Sequence, residues 1–289
     1  MTPVWAKMPY LSYRFSGTDA KTFLQGQLTQ DIHRITPVTC HYGAYCNPKG
    51  RMLANVLLSA EGNDIIARLH QRQAESVIKR LQLFVLRSQV EITPLRDLNL
   101  ALNQPAAEVF CHHWGVVLPE PFSALSQDDF HLLALPNDYY ELRSRDMAVL
   151  SFLQSELAEN FAAIERRRIA GGNFHILPET SELLLPQQTP LEAWGGISYN
   201  KGCYVGQEII ARNKYRGKVR KGLALAQLAD APCVALGTKI RADDCDVGTV
   251  IESHQDSDVT LCLALMLLED VGNTCQIGDT TAVFTLIEK

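Results

Sequence analysis

The residues best suited to chemistry lie in the run Gly195-Gly196-Ile197-Ser198-Tyr199-Asn200-Lys201-Gly202-Cys203-Tyr204-Val205-Gly206-Gln207-Glu208. Four glycines remove side chains on both sides of one cysteine, and glycine permits positive φ and close approach of backbone or ligand. The spacing predicts a loop that presents the Cys203 thiol beside Lys201 and leads into a helix from about Gly206. A thiolate is the nucleophile and metal ligand, and both a neighbouring ammonium and the positive end of a helix favour it. A free thiol with pKa about 8.5 is only a few per cent ionised at neutral pH. Lowering that by a unit or two, ~1.4 kcal/mol each, makes the thiolate a sizeable fraction. The same glycines could equally shape a tight turn in which Cys203 merely packs; spacing alone leaves both readings open.

Two basic stretches accompany this run. Lys214, Arg216, Lys218 and Arg220 alternate, so on an extended chain they line one face of a strand. Such a row suits a polyanion, a phosphate or an oligoglutamate tail, or is simply a solvated face. Arg166-Arg167-Arg168 falls at a helix end, where cations are favoured and a structural role is expected. The eight cysteines include no C-x-x-C pair, and Cys111-His112-His113 has no partner at zinc-finger spacing, so no metal site is expected. Most of the free cysteines are expected as small buried hydrophobes, with Cys203 the exception.

The elements that must position these groups read as a mixed pattern. Tyr10 to Phe15 is a strand, and Thr18 caps a helix whose Ala20, Phe23, Leu24 and Leu28 share neighbouring turns. Tyr42 to Cys46 and Met52 to Ser59 form a hairpin around Asn47-Pro48-Lys49-Gly50. Gln71 to Leu86 has helical apolar spacing, and two further helices fall around Asp146 to Leu157 and Asn160 to Ile169, the second ended by Gly171-Gly172. Beyond residue 214 short strand-like runs separated by Pro, Gly and Asp turns predict a small all-β sandwich or barrel. The expected fold class is α+β: a two-lobed region over 1–213, its lobes divided near 95, and a compact β domain over 214–289.

The chain has 289 residues, 46% of them apolar and 20% charged, an ordinary globular composition that excludes disordered, collagen-like and coiled-coil classes. The net charge of −5 argues against bulk binding of nucleic acid, and direct nucleic-acid binding is not expected. No apolar run approaches the ~20 residues of a membrane span, and the first residues lack the apolar core of a signal peptide. A reducing cytoplasm is the expected compartment.

The run Lys201-Gly202-Cys203-Tyr204-Val205-Gly206-Gln207-Glu208, with Gly195-Gly196-Ile197-Ser198 before it and Arg216-Gly217 after it, resembles the signature of the YgfZ family. Gly17-x-Asp19-Ala20-x-x-Phe23-Leu24-Gln25-Gly26-Gln27-Leu28-Thr29-x-Asp31 and the Asn47-Pro48-Lys49-Gly50-Arg51 turn are similar to it as well. The blocks spread over about three quarters of the chain. These are folate-binding proteins implicated in iron–sulfur cluster maintenance and tRNA modification, related in fold to the glycine-cleavage T-protein. The resemblance therefore implies a T-protein-like multi-domain architecture with mixed α/β N-terminal lobes and a small C-terminal β-barrel.

It further implies tetrahydrofolate as cofactor, iron–sulfur proteins or cluster-assembly factors as partners, and Cys203 as a functional thiol in a setting made by Lys201, Gly202, Tyr204, Gly206, Gln207 and Glu208. The folate-contacting positions it suggests are Tyr10, Gln25, Gln27, Asn55, Glu208 and Arg216. Where the T-protein carries an acidic Asp-Asp pair, this chain has Ala54-Asn55, with no carboxylate to act as a base. Where the T-protein carries Arg-x-Glu-Ala-Gly, this chain has Arg168-Ile169-Ala170-Gly171-Gly172, without the glutamate. The expected function is a folate-dependent accessory role for iron–sulfur enzymes, affecting tRNA modification through them. The alternative is a folate-dependent C1-transfer enzyme, against which the Ala54-Asn55 pair speaks, and a third reading is an RNA-binding module built on the Lys214 to Lys221 segment.

Overall fold

A computed structural model describes residues 1–287; positions 288 and 289, the last two of the expected C-terminal region, lie outside the described residues. The chain opens with β1 (Val4–Lys7), β2 (Tyr10–Ser16), α1 (Ala20–Gln27), β3 (Cys40–Cys46), β4 (Met52–Glu61), β5 (Asp64–His70) and α2 (Gln71–Gln82). It continues through β6 (Glu91–Pro94), β7 (Leu98–Asn103), α3 (Gln104–His113), β8 (Ala124–Ser126), β9 (Phe130–Leu135), β10 (Tyr139–Ser144), α4 (Met147–Glu156), β11 (Ala158–Glu159) and α5 (Phe161–Ala170). A stretch of turns leads to α6 (Gln207–Arg216). The last strands are β12 (Lys221–Ala229), β13 (Lys239–Ala242), β14 (Cys245–Asp256), β15 (Val259–Leu267), β16 (Thr274–Ile277), β17 (Thr280–Val283) and β18 (Thr285–Leu286).

Three sheets result. One is five-stranded, in the order β3-β4-β5-β2-β6; the second is six-stranded, β11-β1-β7-β10-β9-β8. The third, β17-β16-β13-β14-β15-β12-β18, falls wholly after α6 and curls into a nearly closed barrel. The fold is thus α+β with a small β-barrel at its C-terminal end, as expected. Strand β1 pairs antiparallel with β7, so the first residues of the chain belong to the second sheet.

Period-two patterning assigns the faces. In β3, Cys40, Tyr42, Ala44 and Cys46 point into a central core shared by all three sheets, while Tyr45 joins the layer under α1 and α2. In β15, Leu261, Leu263 and Leu265 face that central core, and Cys262, Ala264 and Met266 fill the barrel. A bulge in β14 after Val250 breaks the alternation, so that Ile251 and Glu252 are both buried on the central side.

Asn103, Asp146 and Asn160 cap α3, α4 and α5 by accepting from backbone amides at 2.8–3.1 Å. Helix α1 departs from expectation. Asp19, not Thr18, holds its cap position, and the Asp19 carboxylate accepts from Gln89 N–H (2.8 Å) instead of from the helix. Helix α2 stops at Gln82 and not at Leu86, because the chain turns through a left-handed Leu86 (φ 48°) and leaves Phe84 and Leu86 exposed.

The centre of the molecule is polar. Arg68 pairs with Glu141 and lies 4.0 Å over the Tyr10 ring, and Tyr42 Oη donates to Asn173 Oδ1 at 3.2 Å. Arg168 pairs with Glu165 (2.7 and 2.8 Å) and with Glu252 (2.5 Å). His175 N–H donates to Glu252, and His175 Nε2 and Tyr139 Oη each lie 3.2 Å from Tyr10 Oη. Buried charges are tolerated only when paired and hydrogen-bonded, and these groups complete one another. Arg166 and Arg167 pair with Asp256 and Asp138, so all three arginines of that cluster are structural.

Burial beside Arg168 and Arg68 holds the His175 imidazole well below its ordinary range, and burial pushes His70 down to about 4. A histidine with a depressed native pKa binds fewer protons than in the unfolded chain, so its contribution to stability is lost as pH falls below about 6.5. The melting temperature is expected to drop between pH 6.5 and 5, and the drop to be smaller in a His175→Gln variant. Calorimetry on the two proteins checks this, since the buried carboxylates are common to both. Among the described residues no helix is long and apolar enough to cross a membrane.

Candidate functional site

The thiol loop is seated by residues from the N-terminal sheet. Thr29, fully buried, donates from Oγ1 to Gly196 O (2.7 Å) and accepts from Ala44 N–H (2.8 Å), and Ser198 N–H donates to Thr29 O at 2.9 Å. Gln30 Nε2 donates to Gly195 O at 3.0 Å. Gly195 has φ +68°, and a Cβ at Gly196 would lie 3.0 Å from Leu191 O and Tyr42 O. These positions therefore take glycine for backbone reasons.

Lys201 Nζ donates to Gln25 O (2.7 Å), Leu28 O (2.6 Å) and Gln30 O (2.6 Å), closing the C-terminal turn of α1 whose carbonyls lack helical partners. Burial pushes the Lys201 pKa down to about 8, and the three carbonyls hold the ammonium form in place. The ammonium is thus engaged by three carbonyls at the α1 turn. Val205 N–H donates to Gly26 O at 3.3 Å.

The next anchor is Gly206, at φ +83°. A Cβ there would lie 2.7 Å from Asn47 O and 2.9 Å from Gly50 Cα, and Gly50, itself at φ +70°, packs against Ile209 and Ile210. Asn47 Oδ1 holds the opposing turn by accepting from Lys49 and Arg51 amides at 2.9 and 3.0 Å. Helix α6 starts at Gln207, with half-buried Gln207 and exposed Glu208 in its first turn. The Glu208 carboxylate suits the helix N-terminus.

Between these anchors Gly202 and Cys203 are exposed, and a Cβ at Gly202 would meet nothing within 4 Å. Tyr204 turns the other way: it is 7% exposed, packs into the central core, and its ring lies 4.8 Å from Lys201 Nζ. The arrangement holds a solvent-reachable sulfur on a backbone fixed on both sides. Cys40, Cys46, Cys111, Cys262 and Cys275 are buried, and Cys233 and Cys245 are exposed in the barrel region. A Gly206→Ala substitution forces a β-carbon against backbone atoms in a left-handed conformation, and about 2–4 kcal/mol of stability is expected to be lost; urea unfolding measures it.

The tRNA-modifying protein YgfZ of Blochmanniella pennsylvanica is 32% identical over 216 residues, 71% of this chain and 65% of that protein. The tRNA-modifying protein YgfZ of Escherichia fergusonii is 30% identical over 228 residues, 73% of this chain and 67% of that protein. The chain belongs to the YgfZ family. It spans slightly less than two thirds of the Blochmanniella protein and 77% of a Hamiltonella defensa relative, to which it is 29% identical over 273 residues. No protein-family model matches it. The glycine cleavage system aminomethyltransferase T of Bartonella henselae shares the fold, with a TM-score of 0.77, 14% identity, and coverage of 99% of this chain and 85% of that one.

The positions that the YgfZ resemblance suggests for folate fall in different places. Tyr10 is 4% exposed and locked in the central polar network. Asn55 bridges the 174–176 segment, donating to Phe174 O (2.5 Å) and accepting from Ile176 N–H (3.0 Å), so both ends of its amide are engaged. Gln25 is likewise engaged, donating to Asp31 Oδ1 (2.9 Å) and accepting from Ile32 N–H (2.7 Å). Gln27 Oε1 is buried without a partner, and Arg216 is exposed at the end of α6. Tyr10 and Asn55 thus face the 173–176 segment, and Gln25 and Gln27 sit by the thiol loop.

The alternating cations are corrected outright. Lys214 and Arg216 lie on α6, which ends where Gly217 packs against Asn213, and strand structure begins only at Lys221. They line no strand face; Lys214 Nζ pairs with Glu192 Oε1 at 2.6 Å. Gln30 and Glu252 are positioning residues that the sequence did not single out, whereas Thr29 and Asn47 lie in blocks that it did.

Proposed function

We propose that this chain is an accessory protein in tRNA modification, working through iron–sulfur enzymes in a reducing cytoplasm, with the Cys203 thiol as its reactive group. The observation that carries the reading is the seat of Cys203: an exposed sulfur held where the blocks around Gly26, Gly50 and Gly206 converge. Its relatives bear the name tRNA-modifying protein YgfZ, and eight free thiols suit a reducing compartment. Among the described residues no three His, Cys, Asp or Glu side chains group as metal ligands. A cluster contacted by Cys203 would therefore take its other ligands from the client iron–sulfur protein or assembly factor. A strain lacking the protein is expected to show reduced thiomethylated nucleosides in tRNA by mass spectrometry and reduced iron–sulfur enzyme activity, both restored by the wild-type gene. Normal levels of both refute the reading.

Tetrahydrofolate belongs to the same proposal, with a changed location. The cavity beside Arg68 and Glu141 measures only about 20 Å³, too small for a pteridine. A cavity of about 650 Å³ lies between the end of α5 and the barrel, bordered by Trp194, Ala170, Gln227, Thr285 and Ile287. An indole face, an amide and a hydroxyl are the groups that stack on and bond a pteridine, and Ala170 stands where the T-protein carries its glutamate. Bound there, a reduced folate would bring a one-carbon carrier to the protein, with no base from this chain to drive transfer from it. Tetrahydrofolate is expected to bind the wild type, and Trp194→Ala to weaken it about tenfold or more, measured by calorimetric titration. Equal affinity for both proteins rejects this cavity. A C1-transfer enzyme is disfavoured, because Ala54 and the fully engaged Asn55 offer no base.

A further inference from the structure

The segment after α6 borders a partly open cavity of about 310 Å³ that none of the roles above uses. Arg51, Lys218, Arg220 and Lys221 line it. Among the described residues none of these four forms an ion pair; Arg51 donates to Leu183 O at 2.7 Å. Four cationic residues border one hollow, an arrangement that a bound anion would favour. Leu183, Leu185 and Leu265 give the hollow apolar walls.

Gln187 is the second, independent observation. It is 1% exposed and lines the same cavity. Its Nε2 donates to Ile210 O at 2.6 Å, which fixes the orientation of the amide, and its Oε1 is left buried with no donor. A buried acceptor without a partner is costly and native proteins seldom leave one. The hollow therefore presents cations, apolar walls and one recessed acceptor awaiting an N–H or O–H.

We propose that this cavity binds a small organic phosphate ester of mononucleotide size. The phosphate lies among Arg51, Lys218, Arg220 and Lys221, the apolar body lies against the leucines, and a hydroxyl or amine of the ligand donates to Gln187 Oε1. A phosphate monoester carries close to two negative charges and three acceptor oxygens, which answers a four-cation site better than a single carboxylate. Inorganic phosphate alone leaves the leucines and Gln187 unused. The volume is at the small end of ligand pockets, roughly 300–1,000 Å³, and excludes a polymer inside it. Gln187 grips Ile210, on the α6 turn that packs against Gly50.

Calorimetric titration of the full chain with AMP, GMP, CMP, ribose 5-phosphate, adenosine, inorganic phosphate and tri-γ-glutamate tests the proposal. At least one nucleoside monophosphate is expected to saturate, with adenosine and inorganic phosphate each weaker by about tenfold or more. Lys218→Ala with Arg220→Ala, both at exposed positions, is expected to weaken it about a hundredfold, and Gln187→Leu about tenfold, at roughly one decade per lost contact. Melting curves confirm that the exposed double variant is folded. No saturable binding of any phosphate ester at millimolar concentration overturns the proposal. So does binding that the double variant leaves unchanged, or triglutamate binding at these cations with the phosphate esters inert.

Discussion

A Cys203→Ser chain is expected to fold and melt like the wild type and yet fail to restore tRNA thiomethylation in a strain lacking the protein. The sulfur is exposed and among the described residues no hydrogen bond or core contact depends on it, so the change in stability should stay within about 0.5 kcal/mol. For a chain of this size that is a shift of roughly 1–2 °C. The loss of function should be near complete, because serine keeps the shape and removes the thiolate. Iodoacetamide followed by peptide mapping supplies a second reading: Cys203 should be labelled in the native state, and Cys40, Cys46 and Cys262 spared. Burial pushes those three thiols up, Cys262 to about 12. Full complementation by the serine variant removes Cys203 from the proposed function.

The largest stability effect is expected at Arg168. Its guanidinium is 2% exposed, holds Glu165 and Glu252, and donates to Asn173 O. An Arg168→Met substitution leaves two carboxylates buried without their cation, and breaking a buried pair in this way costs about 3–5 kcal/mol. Urea unfolding should record that loss, with a drop in melting temperature on the order of 10 °C. Converting Glu165 and Glu252 to Leu and Met in the same chain should recover much of it, because well-packed apolar groups can replace a buried ion network. A single Arg168→Met variant as stable as the wild type would mean that water reaches this network in solution.

The outline of this fold was open to reading because it rests on local periodicity. The hairpin around Asn47-Pro48-Lys49-Gly50, the helix from Gln71 and the β-rich end all follow from patterns within a dozen residues. The Lys214 to Arg220 alternation misled for the same reason. A period of two marks a strand only if the backbone is extended, and here α6 runs through Arg216.

The site was half legible. Glycines at 195, 196 and 206 announced a constrained loop around Cys203, and each meets a backbone or conformational demand in the structure. The partner of Lys201 was not legible, because the carbonyls of Gln25, Leu28 and Gln30 lie more than 170 residues away in sequence. Tyr10 and Asn55 show the same limit. A strand aromatic and an amide look like ligand contacts until the segment at 173–176 is seen to fill their valences.

The two-sided clamping of the thiol loop bears on how a client would meet it. The conformational freedom of that segment is already surrendered when the protein folds, so an incoming surface has little left to immobilise. A given contact area then yields more affinity than a mobile loop would give. Asn47 and Thr29, which seat the two ends of the loop, are where that preorganisation is held.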